Sequence, residues 1–295
     1  MDPVQEAVSK ITVPLILQRK LRGEKITCLT AYDFPTAQLV DAAGIDVILV
    51  GDSLAQVVLG YESTLPVTLD DMLHHLRAVR RGVRRALLVA DLPFGAYHVN
   101  EEQGIAASLR YVKEGGAQAV KLEGGRKRAT LIRRLVEAEI PVMAHLGLTP
   151  QSVHAMGGHR VQGKTFEAAS EILADAQAVE DAGAFSVVLE GIPRELAAVI
   201  TRRLRIPTIG IGAGPECDGQ VLVVHDLLGL TQGPRPKFVR AYAGVAEIAR
   251  QALERYRTDV LEGSFPDDAE SYHWPPEVQE QFEKENAPLL LRTKR

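Results

Sequence analysis

The residue types that could do chemistry in this chain sit at the ends of short apolar runs. Val47-Ile48-Leu49-Val50 stops on Gly51-Asp52-Ser53, Ala86-Leu87-Leu88-Val89-Ala90 stops on Asp91, and Ala119-Val120 leads into Lys121-Leu122-Glu123. Val142-Met143-Ala144 ends on His145, and Ser186-Val187-Val188-Leu189 ends on Glu190. Asp52 and Asp91 offer hard oxygen ligands without a Cys/His cluster, a donor set that suits Mg²⁺, which takes one or two carboxylates and keeps sites for water and substrate. One such Asp alone reads better as a cap or loop hydrogen bond; two on neighbouring strands, with Glu123 beyond, favour a metal. Lys121 and Glu123 lie two apart and so share a strand face. In an apolar interior that pair is either functional or a buried structural ion pair. Glu190 is a candidate general base, or else a carboxylate at a helix N-terminus. His145 fits an acid/base, an oxyanion partner or a satisfied structural histidine.

The elements that must position these side chains follow one grammar. Strands are expected at 26–33, 47–50, 86–91, 119–123, 142–145, 185–190, 208–212 and 221–226. Helical spacing falls between most of them, at 35–43, 69–81, around Ile105, Leu109 and Val112, and at 129–139, 165–182 and 193–204. Thr68 is a natural N-cap for the second of these, and Gly44 and Gly183 close others. Eight unbroken or nearly unbroken apolar strands with crossover helices predict an α/β fold, a single-domain (β/α)8 TIM barrel. A doubly wound open sheet is the runner-up, but nothing marks a switch point. In a barrel the C-terminal strand ends converge on one mouth, which would bring the side chains above together. The expected layout is a lead-in at 1–24, a catalytic barrel over 25–262 with a last helix at about 237–257, and an irregular tail over 263–295. The stretch 147–164 is too long for filler between a strand and a helix and should order over bound substrates. Gly210-Ile211-Gly212-Ala213-Gly214 resembles barrel phosphate loops, though glycines also serve tight turns.

Composition narrows the classes further. The 295 residues carry 38 acidic against 34 basic side chains, a net charge of −4. No basic stripe with interleaved aromatics speaks for nucleic acid, and the arginines at 80–85 suit a helix C-terminus. Two cysteines, Cys28 and Cys217, make no disulfide framework. There is no 18-residue apolar run for a membrane span and no secretory signal at the start, so a cytoplasmic setting is expected.

Read jointly, the motifs carry a resemblance. Gly51-Asp52-Ser53, Ser63-Thr64-Leu65-Pro66-Val67-Thr68, Ala90-Asp91-Leu92-Pro93-Phe94, Lys121-Leu122-Glu123-Gly124-Gly125 and the run His145 to Gln151 occur in order. Gly157 to Lys164, Gly210 to Gly214 and Asp218-Gly219-Gln220 follow. Over about residues 25–266 the chain resembles the ketopantoate hydroxymethyltransferase (3-methyl-2-oxobutanoate hydroxymethyltransferase) family. That resemblance implies a Mg²⁺-dependent barrel enzyme moving a one-carbon unit from 5,10-methylenetetrahydrofolate to 2-oxoisovalerate through a stabilised enolate, the first step of pantothenate synthesis. It implies Asp52, Asp91 and Glu123 as metal carboxylates, and Asp52, Ser53, Asp91, Lys121 and His145 as contacts of the oxo acid. Glu190 would be the proton acceptor, and the assembly a homo-oligomer, a decamer. The rival enzyme reading is a Mg²⁺-dependent 2-oxo-acid lyase or mutase of the phosphoenolpyruvate mutase/isocitrate lyase kind, but neither cysteine falls after the fourth or fifth strand, where such enzymes often carry a mobile cysteine loop. A non-enzymatic scaffold would leave the mouth carboxylates without order. The chain departs from the family's pattern at residues 1–15 and in the roughly thirty residues beyond Pro266.

Overall fold

The computed structural model describes residues 9–233 and 235–290. Eight parallel strands close in sequence order into a barrel: β1 (Ile26–Thr30), β2 (Val47–Val50), β3 (Leu87–Asp91), β4 (Ala119–Glu123), β5 (Val142–Gly147), β6 (Ser186–Glu190), β7 (Thr208–Ile211) and β8 (Gly219–Leu222). Helices Phe34–Ala42, Leu69–Gly82, Glu101–Arg110, Ala129–Glu137, Phe166–Asp181 and Arg194–Arg203 connect the first seven. Local chemistry sets several of their ends. Thr68 and Asp71 form a reciprocal capping box at the start of Leu69–Gly82, Asp33 caps Phe34–Ala42, and Thr165 caps Phe166–Asp181.

The strands bury both faces, and this divides the core in two. Alternate residues Ile26, Cys28, Val47, Leu49, Leu87, Val89, Ala119, Met143, Val188, Ile209 and Val221 form the barrel interior. The opposite faces pack under the helices in a second, larger cluster. Ile11 and Ile16 of the lead-in join the interior cluster. Helix Val13–Arg22 thereby covers the N-terminal end of the barrel, with Lys20 bonded to Asp218 at 2.7 Å and Arg19 to Asp46 at 2.8 Å.

Two expectations shift, the end of the last strand and the position of the last long helix. The last strand is β8 at Gly219–Leu222 rather than 221–226, because residues 224–227 turn into a short helix whose first N–H donates to Thr30 Oγ1 at 2.9 Å. β-branched residues made that run look extended, but this bond to β1 ends the strand early. No helix links β7 to β8; residues 212–218 make the connection alone. The last long helix runs Val245–Glu262, not 237–257. The chain divides into two compact units after Ala243, so that this helix groups with the segment beyond it. The later unit also holds a helix at Pro276–Leu290, which the composition does not announce, with Trp274 against Phe282 at 4.7 Å and Tyr256 against Phe265 at 5.6 Å.

Candidate active site

Strand parity brings the chemistry together. In β3 the inward residues are Leu87, Val89 and Asp91; in β4, Ala119, Lys121 and Glu123. In β5 and β6 they are Met143 with His145 and Val188 with Glu190. Register then pairs neighbours across strands: Asp91 lies beside Lys121 and Glu123 beside His145. The interior is thus apolar at its base and polar over its last turn. Asp52, Asp91, Lys121, Glu123, His145 and Glu190 all line one cavity of about 950 Å³ at the C-terminal mouth, with Ser53 beside them.

The contacts are short and shielded from water. Lys121 Nζ sits 2.9 Å from Asp91 Oδ1, and the backbone N–H of Asp52 donates to Asp91 Oδ2 at 3.1 Å. A Cβ at Gly51 would stand 2.9 Å from Ser53 Oγ, so the glycine leaves room for that hydroxyl. Ser53 Oγ is held by the buried Tyr32 hydroxyl at 2.8 Å. His145 is wedged between two carboxylates, with Nδ1 3.5 Å from Glu123 Oε1 and Nε2 3.3 Å from Glu190 Oε2. Gly147, at φ 93°, carries no Cβ because one would collide with the Glu190 carbonyl.

Two side chains complete the site that the spacing of strand ends does not reveal. Gln151, from the long loop after β5, donates through Nε2 to Asp52 Oδ2 at 2.8 Å and to the Leu92 carbonyl at 2.9 Å. Its backbone N–H donates to Glu123 Oε2 at 3.1 Å. The Tyr97 hydroxyl donates to Gln151 Oε1 at 2.6 Å and accepts from the Glu123 N–H at 3.1 Å. Gln151 and Tyr97 therefore fix Asp52 and Glu123 relative to each other. The available signal was the length of the 147–164 loop, which pointed to function without naming a residue.

Electrostatics follow from crowding. Burial, then the charges of Asp91 and Glu123, push the Asp52 carboxyl up to about 8, against the opposing pull of Lys121 and Gln151. Burial disfavours the Lys121 ammonium, yet Asp91, Asp52 and Glu123 outweigh it and hold that amine above its ordinary range. Burial and Lys121 also press against protonation of His145. The carboxylates of Glu123 and Glu190 reverse this and push it up to about 9.

The donor set is thus a buried group of hard oxygens in excess over its neighbouring cations, which fits a hard divalent cation. Among the described residues no three His, Cys, Asp or Glu side chains converge into a cage for an ion. One or two carboxylates with water and substrate oxygens, the Mg²⁺ habit, match that arrangement. Cys28 is buried and free in the barrel interior, and Cys217 is buried and free in the β7–β8 connection. No described helix is long and apolar enough to cross a membrane.

Comparison with known proteins agrees over nearly the whole chain. The sequence profile described as ketopantoate hydroxymethyltransferase matches residues 10–268. The 3-methyl-2-oxobutanoate hydroxymethyltransferase of Koribacter versatilis is 59% identical over 275 residues, covering 93% of each chain. The protein of that name from a Thermoanaerobacter species is 55% identical over 269 residues, covering 91% of this chain and 97% of its own. Among solved structures, a phosphonopyruvate hydrolase complexed with oxalate and Mg²⁺ superposes with a TM-score of 0.57 at 14% identity, covering 96% of this chain and 99% of that one. A 2,3-dimethylmalate lyase of the PEP mutase/isocitrate lyase superfamily gives 0.53 at 16%, covering 94% and 98%. At that identity the likeness concerns the barrel alone.

Proposed function

This chain belongs to the ketopantoate hydroxymethyltransferase family, and on that premise we propose that it transfers a hydroxymethyl group from 5,10-methylenetetrahydrofolate to 3-methyl-2-oxobutanoate. The observation that carries the reading is the mouth itself: a buried carboxylate cluster, one paired lysine and a less buried Glu190 facing a cavity large enough for two substrates. Asp52, Asp91 and Glu123 are the residues that would hold Mg²⁺, some of them through water. When bound, the cation supplies a Lewis acid that lowers the acidity barrier at carbon 3 of the oxo acid.

The chain's own residues do the rest. Lys121 and Ser53 bind the carboxylate and oxo group, and Lys121 adds positive charge where the enolate oxygen develops. Asp91 keeps Lys121 in place at 2.9 Å. Glu190 takes the carbon 3 proton, and His145, protonated between Glu123 and Glu190, orients the acceptor. Carbon 3 then bonds to the methylene carbon as one folate nitrogen leaves, and a water oxygen bonding to that carbon displaces the other. Water supplies the hydroxyl, and its other proton and the one abstracted by Glu190 end on those nitrogens. Assembly as a decamer and a cytoplasmic setting belong to the same proposal.

The test is exchange of the carbon 3 proton of 2-oxoisovalerate in D₂O with Mg²⁺, followed by NMR. Exchange is expected with or without tetrahydrofolate, and its absence under both conditions overturns the reading. Glu190→Gln should slow exchange by about 10²–10⁴-fold and leave Mg²⁺ affinity unchanged; exchange at the original rate would reject Glu190 as the base.

A further inference from the structure

A second, smaller cavity of about 280 Å³ adjoins the mouth. Among the described residues Glu123 is the one common to both linings. Tyr97 and Gln151, which hold Glu123 and Asp52 in place, form part of its wall. The rest of that wall is basic in character: Lys127 and Arg128 stand there with His98 and His154, and Glu123 is its one acidic residue.

The two cations are built into this place. Gly124, directly after β4, has φ 120°, and a Cβ there would stand 2.8 Å from Arg128 Cγ and 3.2 Å from Lys127 Cε. Only a glycine lets both side chains fold back over the strand end. The Arg128 guanidinium lies 5.0 Å from the centroid of the Tyr97 ring and reaches the Tyr97 carbonyl at 3.5 Å. Its Nε is buried and has no hydrogen-bond partner among the described residues, an arrangement that is costly until an acceptor arrives. Nearby Arg126 and Arg134 are ion-paired with Glu171, Asp175 and Glu102. Lys127 and Arg128 have no such carboxylate among the described residues. The Gly95 N–H donates to His98 Nδ1 at 3.2 Å, which leaves the ring proton on Nε2. Burial, then the charges of Arg128 and Lys127, push that imidazole down to about 4, so it stays a neutral donor.

We propose that this cavity is an effector site for a small oxyanion, a phosphate or carboxylate group held between Arg128 and Lys127. The guanidinium fork matches the geometry of such groups, and the lysine adds a point charge. The volume lies just under the roughly 300 Å³ at which drug-sized pockets begin, so the ligand is compact. One further link rests on the metal site proposed above. The Tyr97 ring lies under Arg128 while its hydroxyl holds Gln151, and Glu123 belongs to both cavities. An anion here makes the potential around the mouth carboxylates more negative and favours a cation among them. By reciprocity a cation in the mouth favours the anion.

The experiment separates the site from its link to the mouth. The full-length chain is titrated calorimetrically with inorganic phosphate and with acetate, in EDTA and then with Mg²⁺, at constant ionic strength set by chloride and against a protein-free blank. The Lys127→Met/Arg128→Met variant and Arg128→Lys, which keeps the charge but loses the fork, are treated alike. We expect one anion per chain, bound at least about tenfold more weakly by the double variant, with Arg128→Lys in between. Tighter binding of phosphate assigns the site to phosphate groups, and tighter binding of acetate assigns it to carboxylates. Mg²⁺ should raise the anion affinity at least about fivefold, and the anion should raise Mg²⁺ affinity by the same factor. No saturable binding of either anion, or equal binding by the wild type and both variants, would overturn the site. Anion binding that ignores Mg²⁺ would overturn the link. A chain that binds the anion through Arg128 yet neither binds Mg²⁺ nor exchanges carbon 3 would defeat the proposed function while sustaining the site.

Discussion

The barrel has carboxylates at both ends, and they are treated in opposite ways. At the N-terminal end Asp46, Asp41 and Asp218 are each met by several donors. Asp46 accepts from the Thr27 N–H and hydroxyl at 3.0 and 2.8 Å and from Arg19 and Arg85 at 2.8 and 3.2 Å. Asp41 accepts from the N–H groups of Arg84, Arg85 and Ala86, and Asp218 from Lys20 and from the N–H and hydroxyl of Thr208. At the C-terminal end Asp52, Asp91, Glu123 and Glu190 share Lys121, His145 and Gln151 among them. A carboxylate at a strand end is therefore no sign of function by itself. What separates the two ends is whether the protein supplies enough donors to satisfy the charge. The base of the barrel spends its polar contacts on stability, and the mouth sets four carboxylates against three donor side chains, a surplus that the proposed cation would meet.

The sharpest way to break this contrast is to remove one carboxylate from each end. Asp46→Ala should cost about 3–5 kcal/mol, the range for losing one partner of a buried charged network, since Arg19 and Arg85 lose their acceptor. Urea denaturation would show it, and exchange activity per folded molecule should stay near wild type. Asp52→Asn should do the reverse: stability without Mg²⁺ unchanged or higher, and Mg²⁺ affinity and turnover strongly reduced. Equal destabilisation by the two substitutions would erase the distinction.

A smaller effect sharpens it through pH. With its carboxyl pushed up to about 8, Asp52 binds a proton more tightly in the folded chain than in the unfolded one. Its contribution to stability is complete below the unfolded carboxylate range and is lost as pH rises through about 8, at no more than about 1.4 kcal/mol per pH unit. Melting temperature in EDTA should therefore fall between pH 5 and pH 8.5, Mg²⁺ should reverse the fall, and Asp52→Asn should flatten it. Below pH 8, Mg²⁺ binding should release close to one proton, measurable by calorimetry in buffers of different ionisation enthalpy. A flat melting profile for the wild type would refute the crowding of these carboxylates.

Much of this was legible from sequence, for a physical reason. A parallel barrel buries both strand faces, so its strands stand out as apolar runs, and a charged residue at the end of one has a single place to go. Asp52, Asp91, Lys121, Glu123, His145 and Glu190 were readable on those terms, and two-residue spacing put Lys121 and Glu123 on one face. Gln151 and Tyr97 were not readable. Gln151 is 99 residues from Asp52 in the chain, and only the folded path of the 147–164 loop brings them together. The end of β8 failed for a related reason. Val223 and Val224 have strand propensity, but the Val224 N–H finds Thr30, a residue of β1, and local pattern cannot report a bond across the closed barrel.

The smallest expected effect tests whether the order of the mouth is held from its loop. Tyr97→Phe removes one hydroxyl and leaves the Gln151 Oε1 and the Glu123 N–H without their partner, at a cost of about 1–3 kcal/mol shared between stability and geometry. Were Tyr97 only a core residue, the loss would appear in urea denaturation and leave Mg²⁺ affinity alone. If it positions Asp52 and Glu123 through Gln151, the Mg²⁺ affinity and kcat should fall severalfold together. Gln151→Glu should give a larger loss in the same direction. It keeps the length of the side chain but replaces the donor to Asp52 with another carboxylate. An unchanged Mg²⁺ affinity in both variants would mean that the carboxylates of the mouth hold their geometry unaided, as those at the base do.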